Sequence, residues 1–195
     1  VEDRMCALVG APAALIVNNC AAAVLLALRT FAQNKSVVVS RGELVEIGGG
    51  YRVPEVLEES GASLYEVGTT NRTHLRDYEA AIEKIPKDSA VILKVHQSNF
   101  RQEGFVTRPD VKDLVNLPAT LIVDLGSGAV HPRPDEPAIS ELLQQGAPVV
   151  CFSGDKLFGG PQAGIVVGHK EHVEAMRKSP LYRALRPDKV TLAGL

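Results

Sequence analysis

The chain has 195 residues, of which 45% are hydrophobic and 23% charged, and its formal net charge is −2. This size and composition are typical of one globular α/β domain with a substantial core, and the near-neutral charge gives no general case for nucleic-acid binding. No apolar run approaches the roughly 20 residues that span a bilayer, and no signal peptide opens the sequence.

The three cysteines, Cys6, Cys20 and Cys151, are widely spaced and form no metal-ligand pattern. This usage predicts reduced thiols in a cytoplasmic protein without a metal site. The sequence begins at Val1 instead of a methionine and ends at Leu195 just after a basic segment. We therefore expect residues 1–195 to be one domain cut from a longer protein at both ends.

Seven short apolar runs, several rich in β-branched residues, predict buried strands, and most are separated by stretches with helical spacing. This alternation predicts a three-layer α/β domain around a mainly parallel seven-stranded sheet. The last two runs are joined by too few residues for a crossover, so one strand should be antiparallel. The predicted strands are 13–18, 37–40, 63–67, 90–95, 120–123, 148–152 and 164–168. The predicted helices are 1–10, 20–31, 54–60, 75–85, 108–115 and 139–145.

The turn between the first predicted strand and its helix is a candidate phosphate site. Asn19 is a good helix N-cap, and the small side chains of Cys20 and Ala21 leave the first helix amides open. Helix N-termini bind anions through these amides and through the helix dipole. Any β–α unit has such a turn, so this motif is not specific by itself.

Lys156 stands in a glycine-rich turn directly after the strand predicted over 148–152. Its ammonium resists burial unless it is paired or has a reason to be neutral. A lysine in a partly dry, glycine-lined pocket suits Schiff-base chemistry, because the amine must lose its proton to attack a carbonyl. The alternative is a solvated lysine in a hairpin.

Polar residues collect where the predicted strands end, which is where open α/β sheets bind ligands. The combination of Lys156, the strand-end Asp124 and the helix-top phosphate site predicts pyridoxal 5′-phosphate (PLP). Lys156 would hold the aldehyde, and Asp124 would keep the pyridine nitrogen protonated. The phosphate would lie on the amides after Asn19, with help from the Ser153 hydroxyl. Asp124 could instead only cap a turn. The strand-end residues are Asn18, Asn19, Ser40, Arg41, 96–99, Asp124 and 153–156.

Long, specific motifs run through nearly the whole chain, and they resemble those of the bacterial selenocysteine synthases. These L-seryl-tRNA(Sec) selenium transferases are PLP enzymes of the aspartate-aminotransferase fold type. The segments that carry the resemblance are 17–19, 40–49, 67–74, 94–96, 98–99, 123–128, 153–164, 183–186 and 188–189.

The resemblance implies a reaction on serine attached to tRNA(Sec). Loss of the α-proton and the β-hydroxyl would leave aminoacrylyl-tRNA, and selenophosphate would then deliver selenium. Lys156 would both anchor the cofactor and serve as a candidate base for the α-proton. Arg183 and Arg186 match active-site arginines of the family, and we expect them to bind the phosphate-bearing donor or the tRNA end. A solvated basic helix end is the alternative, and Asn99 is expected among the cofactor contacts.

Three departures from the family pattern bear on the prediction. Cys20 stands where the family usually carries a third asparagine, and this difference would reduce the number of polar contacts near the phosphate. The family's N-terminal tRNA-binding region and its C-terminal small domain are not part of this sequence. The family also forms rings of dimers, so we expect a homo-oligomer. Two alternatives stay open: a related PLP lyase or aldolase acting on a free amino acid or amino sugar, and a catalytically incomplete cofactor-binding and oligomerisation core.

Overall fold

The computed structural model describes residues 1–47, 50–98 and 100–195. The strands are β1 (Ala13–Val17), β2 (Ser36–Ser40), β3 (Glu46–Ile47), β4 (Tyr51–Arg52), β5 (Ser63–Val67), β6 (Ala90–Val95), β7 (Thr120–Gly126), β8 (Val149–Ser153) and β9 (Gly164–Gly168). Seven of them form one sheet in the order β1-β9-β8-β7-β6-β2-β5, and β3 pairs with β4 in a separate hairpin. All seven strands predicted from the sequence are therefore present.

Helices cover both faces of the sheet. They are α1 (Glu2–Val9), α2 (Cys20–Phe31), α3 (Val53–Glu59), α4 (Leu75–Ile82), α5 (Val111–Leu114), α6 (Ile139–Gln144), α7 (Lys170–Arg177), α8 (Pro180–Ala184) and α9 (Lys189–Gly194). Buried side chains of α1, α4, α5 and α6 join one hydrophobic cluster, and those of α2, α3 and α7 join a second cluster. The predicted three-layer α/β architecture is confirmed. In the described ranges, no helix is long and apolar enough to cross a membrane.

The predicted antiparallel strand is β9. It runs antiparallel to both of its neighbours, β1 and β8, whereas the other neighbouring strands of the sheet are parallel. The lysine turn, residues 154–163, joins β8 to β9 directly. Because this connection is too short to cross over a layer of helices, the chain must reverse within the sheet.

Strand β7 shows how the sheet positions a polar group. Leu121 and Val123 point into one hydrophobic cluster, and Ile122 points into the other. Side chains alternate between faces with a period of two, so Asp124 lies on the same face as Ile122. That face is covered by α2, and the Asp124 carboxylate therefore faces the start of this helix.

Two predicted helices are shorter in the structure. The helix predicted over 75–85 ends with α4 at Ile82, and the following turn tightens to i→i−3 bonds, such as Ile85 N to Ile82 O at 3.2 Å. Pro86 follows at once and disfavours helical backbone at the residue before it. The helix predicted over 108–115 is reduced to α5, because its N-cap residue, Asp110, has extended backbone.

Candidate active site

Lys156 and Asp124 line the same small cavity at the carboxyl ends of β7 and β8. Asp124 lies opposite Cys151 in the pairing of these two parallel strands, and the lysine turn begins just after β8 ends. The cavity has a volume of about 50 Å³, and Val45, Ile47 and Tyr51 line its other side. This space holds only a few water molecules, so entry of a pyridine ring requires these covering side chains to move.

The Asp124 carboxylate is buried, with 9% of the residue exposed. Burial raises its pKa to about 6, although the positive charge of Lys156 and a hydrogen bond from Cys20 act in the opposite direction. The Cys20 thiol donates to Asp124 Oδ1 at 3.7 Å. Among the described residues, Asp124 forms no ion pair within salt-bridge distance. A cationic N–H donor, such as a protonated pyridine nitrogen, is therefore the group that this carboxylate suits best.

Gly126 provides a flat surface between these two groups. Its φ of +66° favours glycine, and an added Cβ would lie 3.7 Å from Lys156 Nζ and 3.8 Å from Asp124 Oδ1. The Ser98 hydroxyl would lie 3.3 Å from the same Cβ. A side chain here would fill the space between lysine and aspartate, so glycine keeps that space open for a planar group.

The start of α2 supplies the predicted anion site. The Asn19 side chain accepts a hydrogen bond from Ala22 N at 2.8 Å, and Asn19 O accepts from Ala23 N at 3.1 Å. Within the described chain, these bonds leave the amides of Cys20 and Ala21 for a ligand. Both residues also line the cavity that holds Lys156 and Asp124. The helix amides, the carboxylate and the amine therefore meet at one place, and the residues present fit PLP.

Gly164 allows the lysine turn to approach this helix. A Cβ at Gly164 would lie 1.9 Å from the backbone oxygen of Asn19, a distance that no side chain permits. The first residue of β9 thus packs directly against the start of α2. The glycine-rich motif around Lys156 is needed for this approach as well as for the turn itself.

The remaining two predicted cofactor contacts are Ser153 and Asn99, and like the others they stay predictions. Ser153 is buried at the end of β8, and its hydroxyl donates to Asp155 Oδ1 at 2.6 Å. The hydroxyl proton is therefore already used in the hydrogen bond to Asp155 in the lysine turn. The hydroxyl would have to rotate before it could donate to a phosphate group. Asn99 lies outside the described residues.

Arg183 and Arg186 lie in a different cleft, which has a volume of about 640 Å³. Both are exposed, and the cleft is also lined by Glu2, Arg177 and Tyr182. Neither Lys156 nor Asp124 lines this cleft. The structure thus brings together Lys156, Asp124, Cys20 and Ala21, but not the two arginines. The segment between them is tied to the site, because Asn18 N donates to Leu185 O at 2.9 Å.

Two further groups near the site, His96 and Glu43, lie in segments that the sequence marked, but no role was assigned to them from the sequence. His96 lines the cavity, and its Nε2 lies 3.0 Å from Glu136 Oε2. Glu43 is 1% exposed, pairs with Lys94 Nζ at 3.2 Å and accepts from Val95 N at 2.9 Å. Its carboxylate holds the end of β6, directly before His96. The pairing also engages the Lys94 amine, which leaves Lys156 as the better candidate for covalent attachment.

Comparison with known proteins identifies the family. The family described as "SelA: L-seryl-tRNA selenium transferase" matches residues 1–195. A protein of Desulfovibrio desulfuricans named L-seryl-tRNA(Sec) selenium transferase is 53% identical, over 100% of this chain and 42% of its own length. One of the same name from Haemophilus influenzae is 50% identical, over 100% of this chain and 44% of its own length. The chain thus spans less than half the length of these curated relatives.

Solved structures with the same fold include PLP proteins. A D-glucosaminate-6-phosphate ammonia-lyase has a TM-score of 0.77 and 22% identity, over 99% of this chain and 54% of its own. A structure described as SPT with a PLP internal aldimine has a TM-score of 0.69 and 15% identity, over 93% of this chain and 44% of its own. These likenesses show the fold alone. The family match over the whole chain and the 50% and 53% identical relatives show that the chain belongs to the L-seryl-tRNA selenium transferase family.

Proposed function

We propose that this chain is the cofactor-binding core of a PLP-dependent enzyme that converts seryl-tRNA(Sec) to selenocysteinyl-tRNA(Sec). The conversion passes through an aminoacrylyl intermediate and uses selenophosphate as the selenium donor. The observation that carries the proposal is the meeting of Lys156, Asp124 and the open amides of α2 around one buried cavity. Family membership supports the choice of substrate.

Each residue has a defined task in this proposal. When bound, PLP supplies an electron sink for negative charge at the α-carbon of serine. Asp124 holds the proton on the pyridine nitrogen, and the amides of Cys20 and Ala21 hold the phosphate. Lys156 holds the cofactor and, once released from it, takes the α-proton. Ser153 and Asn99 remain proposed cofactor contacts.

Arg183 and Arg186 are proposed to bind an anionic part of a reactant. Both are exposed, and in the part of the chain that the structure describes neither forms an ion pair. Their cleft is separate from the lysine cavity, which favours the extended tRNA end over the small donor. Guanidinium groups suit this role, because they bind phosphates through paired hydrogen bonds.

The proposal also covers the domain organisation, localisation and assembly of the protein. We propose that residues 1–195 are a single PLP-binding domain of a longer cytoplasmic protein, and that this protein assembles into a homo-oligomer based on dimers. The partners are then seryl-tRNA(Sec) and selenophosphate. The single-domain part is supported by the one continuous sheet, which carries a hydrophobic cluster on each face.

The test is conversion of seryl-tRNA(Sec) by the full-length protein loaded with PLP. With selenophosphate present, labelled serine on the tRNA should become selenocysteine, and free serine should not react. Lys156→Ala should abolish the conversion, whereas the control Lys170→Ala, at an exposed position of α7, should leave it intact. Turnover of free serine with no turnover of seryl-tRNA would contradict the proposal and favour a small-molecule lyase.

A further inference from the structure

A cluster of metal-ligating side chains lies at the start of α7, away from the lysine cavity. His169, Glu171 and His172 each offer one ligand atom, and these atoms lie within 4.8 Å of one another. Strand β9 carries the chain from the cofactor site to this cluster. It begins opposite Ser153, next to the lysine turn, and ends opposite Val149, at the start of β8. The cluster therefore lies at the edge of the sheet opposite to the cofactor site.

Backbone packing fixes the direction in which the chain leaves β9. Gly168 has a φ of +156°, and a Cβ there would lie 2.0 Å from the backbone oxygen of Pro148, which no side chain permits. His169 N donates to Pro148 O at 2.9 Å, and His169 O accepts from His172 N and Val173 N, both at 3.1 Å. His169 thus begins α7 through its backbone, and its side chain makes no hydrogen bond to the start of the helix. The imidazole of His169 is therefore available for a ligand.

The two imidazole rings of the cluster are in contact, and one of them is held in place by packing. The rings of His169 and His172 meet edge to face with their centroids 5.8 Å apart. The His172 ring also packs against Phe31, with centroids 5.3 Å apart, and only 19% of its side chain is exposed. His169 and Glu171 are exposed, so their side chains can adjust to a ligand that His172 binds from a fixed position.

One nitrogen of this cluster lacks a hydrogen bond. The Nδ1 atom of His172 is buried and has no hydrogen-bond partner in the described structure. Glu171 Oε1 lies 3.6 Å away, which is too long for a hydrogen bond. A buried polar atom without a partner costs free energy, so a group that binds both this nitrogen and the carboxylate is favoured.

An open cleft next to the cluster gives access from solvent. Its volume is about 440 Å³, and His169 and His172 are among the residues that line it. The charged residues of the lining are Lys35 and Asp88, which carry opposite charges. The cleft itself therefore has no net charge that repels a cation, and Glu171 adds a negative charge beside it.

We propose that His169, Glu171 and His172 bind one divalent metal ion of the zinc class, with solvent completing the coordination. A tetrahedral zinc site holds nitrogen and oxygen ligands about 2.0–2.2 Å from the metal and therefore roughly 3.4 Å from one another. Rotation of the two exposed side chains closes the remaining distance. Imidazole ligands favour zinc, copper and nickel over magnesium and calcium. The absence of a metal site was predicted from the cysteines alone, and this cluster uses none of them.

The experiment measures zinc binding to the full-length, PLP-loaded protein, first stripped of metal, by competition with a chromogenic chelator. His169→Ala should weaken zinc binding by at least about a hundredfold, because loss of a group that only orients a ligand already costs about ten- to a hundredfold. The control is His131→Ala, which removes an exposed imidazole from the loop after β7 and should leave the affinity unchanged. Unchanged affinity in His169→Ala, or an equal loss in both variants, would overturn the site.

Thermal unfolding provides a second test in which misfolding is not expected. The His169 side chain makes no hydrogen bond to the start of α7, so without zinc His169→Ala should unfold at the wild-type temperature. Zinc should raise the unfolding temperature of the wild type but not of His169→Ala, because a ligand that binds only the folded state stabilises it. An equal rise in both proteins would contradict the site. Tighter binding of magnesium than of zinc would contradict the assignment to the zinc class.

Discussion

Replacing Asp124 with asparagine should change the pH dependence of stability in a direction that its burial dictates. The carboxylate is held at the end of β7, where the charge of Lys156 and hydrogen bonds from the Cys20 thiol and the Gly126 backbone partly offset the loss of water. Asparagine keeps the shape of the side chain but carries no charge at any pH. The substitution therefore isolates the cost of ionising this buried group when no cofactor is present.

The magnitude follows from the pKa of the carboxyl. Burial raises the pKa of Asp124 from 3.8 to about 6, which corresponds to about 3 kcal/mol at about 1.4 kcal/mol per pKa unit. Because the folded state binds this proton more tightly than the unfolded state, the group's contribution to the free energy of unfolding falls as the pH rises from about 4 to about 6. The stability of Asp124→Asn relative to wild type should thus rise by up to about 3 kcal/mol across that window.

The assay is urea unfolding of both proteins without PLP, followed by circular dichroism at several pH values from about 3 to about 7. Asp188→Asn gives a contrast of opposite sign. Hydrogen bonds from the amides of Thr191 and Val190 lower the pKa of Asp188, so this N-cap adds stability that is present above the unfolded pKa and lost as the pH falls through the folded pKa. A stability difference for Asp124→Asn that stays flat, or declines with pH, would refute the reasoning.

Two further predictions concern the neighbours of this carboxylate and the distant arginines. Cys20→Ala removes the thiol that donates to Asp124 and should raise the pKa of that carboxyl further, measured as a shift to higher pH of the Asp124-dependent stability change. The control Cys6→Ala should not move it, and an unmoved transition in Cys20→Ala would contradict the contact. Arg183→Ala and Arg186→Ala should each weaken binding of seryl-tRNA by about ten- to a hundredfold without changing PLP affinity, measured by filter binding and by PLP absorbance. Loss of PLP binding in either variant, or unchanged tRNA affinity in both, would contradict their proposed role.

The lysine cavity could be predicted from sequence because its parts lie at the ends of neighbouring strands. Asp124 and Lys156 each follow an apolar run, and carboxyl ends of parallel strands meet at one edge of a sheet. Cys20 and Ala21 follow the same rule through the helix that starts after β1. Local patterns therefore sufficed for the fold and for the meeting of these residues around one cavity.

The other contacts depend on where the chain returns after leaving the sheet. His96 meets Glu136 only because the turn at residues 133–136 brings Glu136 to the residue that follows β6, and no periodic pattern encodes that approach. The position of Arg183 depends on how α7 and α8 pack past β9, so a family motif could not place it in a particular cleft. The β3–β4 hairpin has two residues in each strand, which is too short for an alternation to be recognised.

The most direct test of the central claim is the identity of the lysine that carries PLP. The full-length protein is loaded with PLP, reduced with borohydride, digested and mapped by mass spectrometry. The account predicts a pyridoxyl group on Lys156, because its amine lines the cavity with Asp124, while Lys94 is engaged by Glu43. A pyridoxyl group on Lys94 or Lys170, or a protein that takes up no PLP, would contradict it.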